Sequence, residues 1–386
     1  MKRQDRFMRL GVFVDDNTAS GPDAEEVDEE INRILLKFPG KFIDPELMPG
    51  GWLRFDLLGT DVWYHRGLKQ LQVTMERYIE KTMEKFRMQG AKPADSPCFD
   101  EALLYDTASP KQDYPLREVI GCLSWAANIC RIDICHPVNI LARITCKEPT
   151  KAIVSCCKKV LRYLLGKPKI GLFYSPENEY EFNKTYGSLL PEGERPRDWN
   201  TFSDASFASC FLTMKSVSGS VVYYKSCPNA WKSARQTIRT NSTFESEYVA
   251  ASDTIAVEES VDFKGFLGDE PDSYLWIDNQ TAVTVSKTKC GKERPKSRHV
   301  ALRYLRVSEV SDKIRFCPTH HEKADVLTKS NVSQDIRDHV FYHNPAMTSR
   351  KKQRELEKED CDVESMFVSS DGPICCFNSI LEYFEC

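Results

Sequence analysis

Four carboxylates in the second half of the sequence, Asp204, Glu247, Asp278 and Asp325, have the chemistry to hold divalent metal ions. Each sits where an element should begin or end. Asp204 lies in 202–206 (FSDAS), which reads as a strand end, and Asp278 follows the apolar run 274–277 (YLWI), a buried strand. Asp325 opens a short final helix in KADVLTK at 323–329. Glu247 falls in NSTFESEYVAA at 241–251. There Ser242 can cap a helix and Glu245 can reach back to Ser242, a capping box. Phe244, Tyr248, Ala251 and Ile255 then share an apolar face at helical spacing. Glu245 thus has a structural job, whereas Glu247 stands on the shoulder of the buried stripe. A carboxylate there needs a partner, a metal or water. Most glutamates in a first helical turn only complement the macrodipole, but three aspartates in company change that reading. Four acids with no nucleophilic Ser or Cys motif between them suit two magnesium ions, with manganese as a substitute. Magnesium takes carboxylate oxygens and keeps waters. Two such ions about 3.5–4 Å apart can activate a water and stabilise the leaving oxygen of a phosphodiester. Without metal these carboxylates would repel one another.

Three further groups could do chemistry. The run RLGVFVDDN at 9–17 reads as a buried strand ending in Asp15 and Asp16 at a hairpin tip. Adjacent acids there could ligate a divalent cation, and a polar turn is the plainer reading. Lys287, Lys289, Lys292, Arg294, Lys296, Arg298, Arg303 and Arg306 form the most basic stretch in the chain. It could track backbone phosphates and make binding salt-dependent, or be a solvated loop. His320 or His321, just before Asp325, could shuttle a proton; loop histidines are usually plain surface residues.

The chain has 386 residues and a formal net charge of −4, so bulk electrostatics do not announce nucleic-acid binding. No apolar run is long enough to span a bilayer, and the first residues do not read as a signal peptide. The 15 cysteines are scattered, without zinc-ligand spacing, and read as reduced thiols. The reading is a cytoplasmic protein without a membrane partner, the nucleus being an alternative. Before residue 175 the patterning predicts a helix over 22–37, short strands over 52–75, and helices over 70–88, from Leu116 to Ala127 and from Pro149 to Leu165. Residues 175–199, polar with Pro and Gly, read as a linker. From Thr201, strands at 201–206, 216–224 and 229–236 precede the helix from Ser242, which could run towards Leu267. Strands at 274–277 and 314–316 and further helices complete a mixed sheet with flanking helices, an α/β architecture. The tail 336–386 mixes charges and reads as partly disordered.

At these residues the sequence resembles a known family. SDAS at 203–206, SVSG at 216–219, STFESEYVAA at 242–251, IDNQTAV at 277–283, RHVALRYLR at 298–306 and KADVLTK at 323–329 are similar, in order, to the ribonuclease H domain of copia-type retrotransposon Pol polyproteins. The resemblance implies a ribonuclease H-like domain over 200–335, with Asp204, Glu247, Asp278 and Asp325 as catalytic acids. GVFVDDN at 11–17 resembles the palm hairpin of reverse transcriptase, with Asp15 and Asp16 in the metal-ligand places. Residues 116–143 and 160–174 resemble the segment linking polymerase to ribonuclease H, so that 1–174 would be an incomplete palm and thumb-connection region. The earlier palm strand and its aspartate do not appear, and the resemblance implies no DNA polymerisation by this chain alone. The implied substrate is an RNA–DNA hybrid cut in its RNA strand, where the 2′-hydroxyl marks RNA. The other implied partner is the rest of the polyprotein. Two rival readings are a catalytically inactive or co-opted fragment that binds nucleic acid, and a related transposase or integrase. Glu247 on an early helix and the distant Asp15–Asp16 pair count against the latter.

Overall fold

The structure, a computed structural model, describes residues 8–13, 16–21, 24–38, 40–261, 273–287 and 298–330, together with Arg337, Val340 and Phe341. Strands β1 (Arg9–Phe13) and β2 (Asp16–Ser20) pair as an antiparallel hairpin, and α1 (Ala24–Lys37) follows. A five-stranded antiparallel sheet comes next, from β3 (Glu46–Leu47), β4 (Leu53–Leu57), β5 (Thr60–His65), β6 (Gln70–Thr74) and, after four helices, β7 (Leu172–Tyr174). The helices are α2 (Glu76–Lys85), α3 (Leu116–Ile129), α4 (Cys135–Ala142) and α5 (Lys151–Gly166). Pro137 falls in the first turn of α4, where a missing N–H costs nothing. The helix expected from residue 70 starts only at Glu76, because 70–74 pair with β5 on one side and β7 on the other.

After α6 (Pro176–Gly187), the chain builds a second five-stranded sheet. β8 (Trp199–Ser206), β9 (Val217–Tyr224) and β10 (Cys227–Arg235) form an antiparallel meander. α7 (Thr243–Ser260) crosses back, and β11 (Ser273–Ile277) joins β8 in parallel. α8 (Gln280–Lys287) and α9 (Arg298–Glu309) lead to β12 (Ile314–Phe316), parallel to β11. The order is β10-β9-β8-β11-β12. This is the mixed sheet with flanking helices that the patterning predicts.

Both faces of this sheet are covered, and its central strands β8, β9 and β11 are buried at nearly every position. On one face, Tyr248, Ala251 and Ile255 of α7 meet Leu275 and Ile277 of β11, Val283 of α8 and Val307 of α9. On the other, Phe202, Val221, Tyr223 and Trp276 join a core that runs through α6 into α3 and α5. Phe182 stacks on Tyr223 with ring centroids 5.6 Å apart, and Tyr186 lies 5.4 Å from Trp276. Residues 175–199, expected to be a linker, therefore contain a helix that buries Phe182 and Tyr186 against the sheet and leaves Tyr180 exposed. The four-residue spacing of Phe182 and Tyr186 puts both on one helical face.

Polar contacts tie the same surfaces together. Trp231 Nε1 donates to the Ala127 carbonyl at 2.8 Å, and Asn139 Nδ2 to the Ser233 carbonyl at 2.9 Å. The buried imidazole of His136 lies 3.4 Å from Ser233 Oγ and 3.2 Å from Ser330 Oγ. Burial pulls its pKa down to about 3, so it is neutral. Beneath α4, Arg131 and Asp133 form a fully buried ion pair: Nε and Nη2 donate to the two carboxylate oxygens at 2.9 and 2.7 Å. Arg131 Nη1 also donates to the Lys167 carbonyl at 2.8 Å. Burial alone would raise Asp133, but the guanidinium holds its carboxyl below the usual range.

Among the described residues, ten cysteines are free thiols, and no helix is long and apolar enough to cross a membrane. The tail expected to be partly disordered lies, from residue 342 on, outside the described residues, as does any extension of α7 over 262–267. Removing one partner of a buried ion pair strands the other charge. Asp133→Ala should therefore cost about 3–5 kcal/mol of stability. Urea unfolding of the full chain checks this, and an unchanged midpoint would refute it.

Candidate metal centre

Asp204 lies on β8 directly opposite Gly219 of β9. A Cβ at Gly219 would come within 2.7 Å of Thr328 Cγ2 and 2.9 Å of both the Ala324 carbonyl and Leu327 Cβ. The missing side chain lets a short 3-10 turn, Lys323–Leu327, lie flat on the sheet beside Asp204. Glu322 caps that turn, its Oε1 accepting from the Ala324 N–H at 2.9 Å. The stretch expected to be a short helix is a short 3-10 helix with Asp325 at its middle, and it points Asp325 at the end of β8. Asp278 follows the neighbouring parallel strand β11 at the same, carboxyl end of the sheet. One carboxylate oxygen from each of Asp204, Asp278 and Asp325 lies within 4.8 Å of the others.

Glu247 enters from α7. Ser242 caps this helix, its Oγ accepting from the Glu245 N–H at 3.1 Å. The return bond differs from expectation: Glu245 Oε2 accepts from the N–H of Asn241, at 2.7 Å, and not from Ser242. Glu247, two residues on, is 4% exposed, deeper than a shoulder position. Its Oε2 is buried with no hydrogen-bond partner among the described residues. Glu247 stands outside the three-aspartate set, yet near enough that its neighbours act on it. Burial first, then Asp204 and Asp278, push its carboxyl up to about 10.

The three aspartates feel the same forces. Burial and then Asp325 raise Asp204 to about 6, although Lys329 and a hydrogen bond from Thr328 oppose the shift. Asp278 is raised by burial and by Asp204, and its Oδ2 accepts from Thr319 Oγ1 at 3.2 Å. Asp325 is raised by burial against the pull of Lys329. Thr328 Oγ1 donates to Asp204 Oδ2, and Lys329 Nζ donates to Asp325 Oδ1. A fifth acid, Glu322, is buried behind them and held well above its ordinary range by burial. A buried cluster of like charges with an orphaned oxygen is a strong site for a hard cation.

Not every expected site residue joins this centre. Asp15 lies outside the described residues. Asp16 opens β2, paired with Phe13, in the separate two-stranded hairpin. In the basic stretch, Lys289, Lys292, Arg294 and Lys296 lie outside the described residues, and Arg298 is described only as the first residue of α9. Lys287, at the end of α8, is exposed. Arg303 donates to Thr237 Oγ1 at 3.2 Å, and Arg306 pairs with Glu259 of α7. These two arginines clamp α9 to its neighbours. The rings of His320 and His321 lie 4.2 Å apart, tilted by 47°, in the turn Thr319–His321. Tyr186 donates to the His321 carbonyl at 2.8 Å.

The sequence reading missed Lys329, Thr328, Thr319 and Glu322. Lys329 had a signal: it stands four residues after Asp325, a spacing that brings opposite charges together on a helical turn. Gly219 carried one too, as a lone glycine within a strand pattern, a mark of close backbone approach.

No protein-family profile matches the chain. Among curated proteins it is 26% identical over 342 residues to the Retrovirus-related Pol polyprotein from transposon TNT 1-94 of Nicotiana tabacum, covering 84% of this chain and 23% of that protein. It is 25% identical over 346 residues to the Retrovirus-related Pol polyprotein from transposon RE1 of Arabidopsis thaliana, covering 85% of this chain and 21% of that one. Among solved structures, RNase H1 from Halobacterium salinarum NRC-1 is 18% identical, with a TM-score of 0.25 over 34% of this chain and 93% of that chain. The chain spans less than a quarter of the length of the two polyproteins, and most of it is similar to proteins of this retrotransposon-borne, Pol-like kind.

Proposed function

We propose that this chain is a divalent-metal-dependent nuclease that cuts the RNA strand of RNA–DNA hybrids, and that it represents part of a retrotransposon Pol polyprotein of the copia type. In this reading, residues 200–335 are the ribonuclease H-like module and residues 1–174 derive from a reverse transcriptase. One observation carries the proposal. Carboxylates of Asp204, Asp278 and Asp325, from three elements far apart in sequence, converge within 4.8 Å at the carboxyl ends of the interior strands β8 and β11. A fourth acid, Glu247, is buried beside them with an unpartnered oxygen.

The donor set fits magnesium or manganese: all four are hard carboxylate oxygens. Asp204, Glu247, Asp278 and Asp325 would hold the ions. Bound magnesium would supply a water activated as nucleophile and neutralise charge at the scissile phosphate. The chain's own residues prepare for that. Thr328 occupies one oxygen of Asp204, which fixes the rotamer of that carboxylate. Thr319 does the same for Asp278. Because burial raises all four acids, protons cover part of their charge when no cation is present, and cation binding releases them.

Asp204→Asn or Asp278→Asn should abolish cleavage of a labelled hybrid in magnesium or manganese while leaving hybrid binding, read by fluorescence anisotropy, unchanged. A wild-type chain that leaves the hybrid intact in either metal would count heavily against the proposal. A second test uses acidity. Glu247 rises from its ordinary 4.5 to about 10 in the fold. Between those values the folded state keeps a proton that the unfolded state has lost, so this group lowers stability as pH rises. In the absence of divalent metal, Glu247→Gln should melt higher than wild type at about pH 8, with the gap closing towards about pH 4. Thermal melts followed by circular dichroism decide it, and a gap that widens on acidification would contradict the burial of this acid.

A further inference from the structure

We propose that Lys329 is a tethered counter-ion of the acid cluster, an ammonium that holds the cation position in the metal-free chain and gives way when a divalent ion binds. This rests on the metal-dependent reading of the same site and adds to it a built-in competitor that sets how tightly metal is held.

Lys329 Nζ contacts Asp325 Oδ1 and lies 3.8 Å from Asp204 Oδ1, so one ammonium spans two of the three clustered aspartates. Its backbone is fixed to the same turn, since its N–H donates to the Asp325 carbonyl at 3.1 Å. The anchor leaves the head group to choose between the cluster and solvent. The way out is open: the side chain is 38% exposed, whereas Asp204 and Asp325 are 2% and 4% exposed. A flexible four-carbon stem can swing such a head group away at little cost. The other lysine of this turn does not share the task. Lys323 is fully buried on the far side, its Nζ 6.0 Å from the Phe182 ring centroid and 5.6 Å from that of Tyr223. Around Lys329 stand the carboxyls of Asp204, Asp278, Asp325 and Glu247, with Thr328 and Thr319 as neutral donors to two of them. An ammonium placed there relieves repulsion among the acids and must be displaced or repelled by an arriving divalent cation.

The test is calorimetric titration of magnesium and of manganese into the full-length wild type, Lys329→Met and Lys329→Arg, with circular dichroism to confirm folding. Losing the competing charge should tighten metal binding by roughly tenfold in Lys329→Met, while Lys329→Arg, which keeps the charge, stays near wild type. The metal-free Lys329→Met chain should also melt lower than wild type and gain more from added metal. If Lys329→Met does not fold, Lys329→Gln carries the same expectation. Equal or weaker metal binding by the uncharged variant, with wild type still binding, would overturn the counter-ion role and leave the metal site standing. Failure of every protein to bind either metal would overturn both.

Discussion

Carboxylates repel, and desolvation makes the repulsion stronger. The second half of this chain nonetheless gathers Asp204, Asp278 and Asp325 at the carboxyl end of two interior strands and buries Glu247 and Glu322 beside them. Holding that arrangement is the constraint under which the surrounding structure is built. Isolated buried charges cost several kcal/mol each unless protons, partners or ions compensate. Here all three kinds of compensation are in place. Burial drives the acids towards their protonated forms, threonine hydroxyls and backbone N–H groups supply hydrogen bonds, and one ammonium reaches in. Geometry that is costly when empty is geometry ready for a cation.

The scaffold meets this constraint by stiffness. Two parallel strands, β8 and β11, deliver Asp204 and Asp278 side by side, because their register is fixed by the stacked pair Phe202 and Trp276 on one face and by α7 on the other. The third aspartate comes from a turn too short to hold its shape alone. It is seated on the bare backbone at Gly219 and tied by the Ser233 hydroxyl, which donates to the Leu327 carbonyl at 2.6 Å. Positions that look remote from the acids thus set their separation.

Much of this was legible in the sequence because it is local. Alternation marked the strands, Ser242 marked the start of α7, and the apolar run 274–277 marked a strand buried on both faces. The four acids were singled out by their positions at element ends, and the structure draws three of them into one cluster with the fourth beside it. What was not legible depends on tertiary contact. The depth of Glu247 follows from how α7 lies across β8 and β9. The seating of Lys323–Leu327 needs both Gly219 and a surface supplied from the first half of the chain. Residues 175–199 looked like a linker because prolines and charges outnumber Phe182 and Tyr186, although those two rings decide where the segment packs.

The neutral imidazole of His136 has a wider consequence. It touches Ser233, which in turn holds the turn bearing Asp325, and it touches Ser330 just beyond that turn. Strand topology would divide this polypeptide near residue 199, yet packing does not respect that cut. The two sheets share one continuous interior, and the acid cluster leans on helices encoded long before it. A substitution in the upstream half is therefore felt at the acids through Ser233 and the shared core, so that the two halves draw on one common stability.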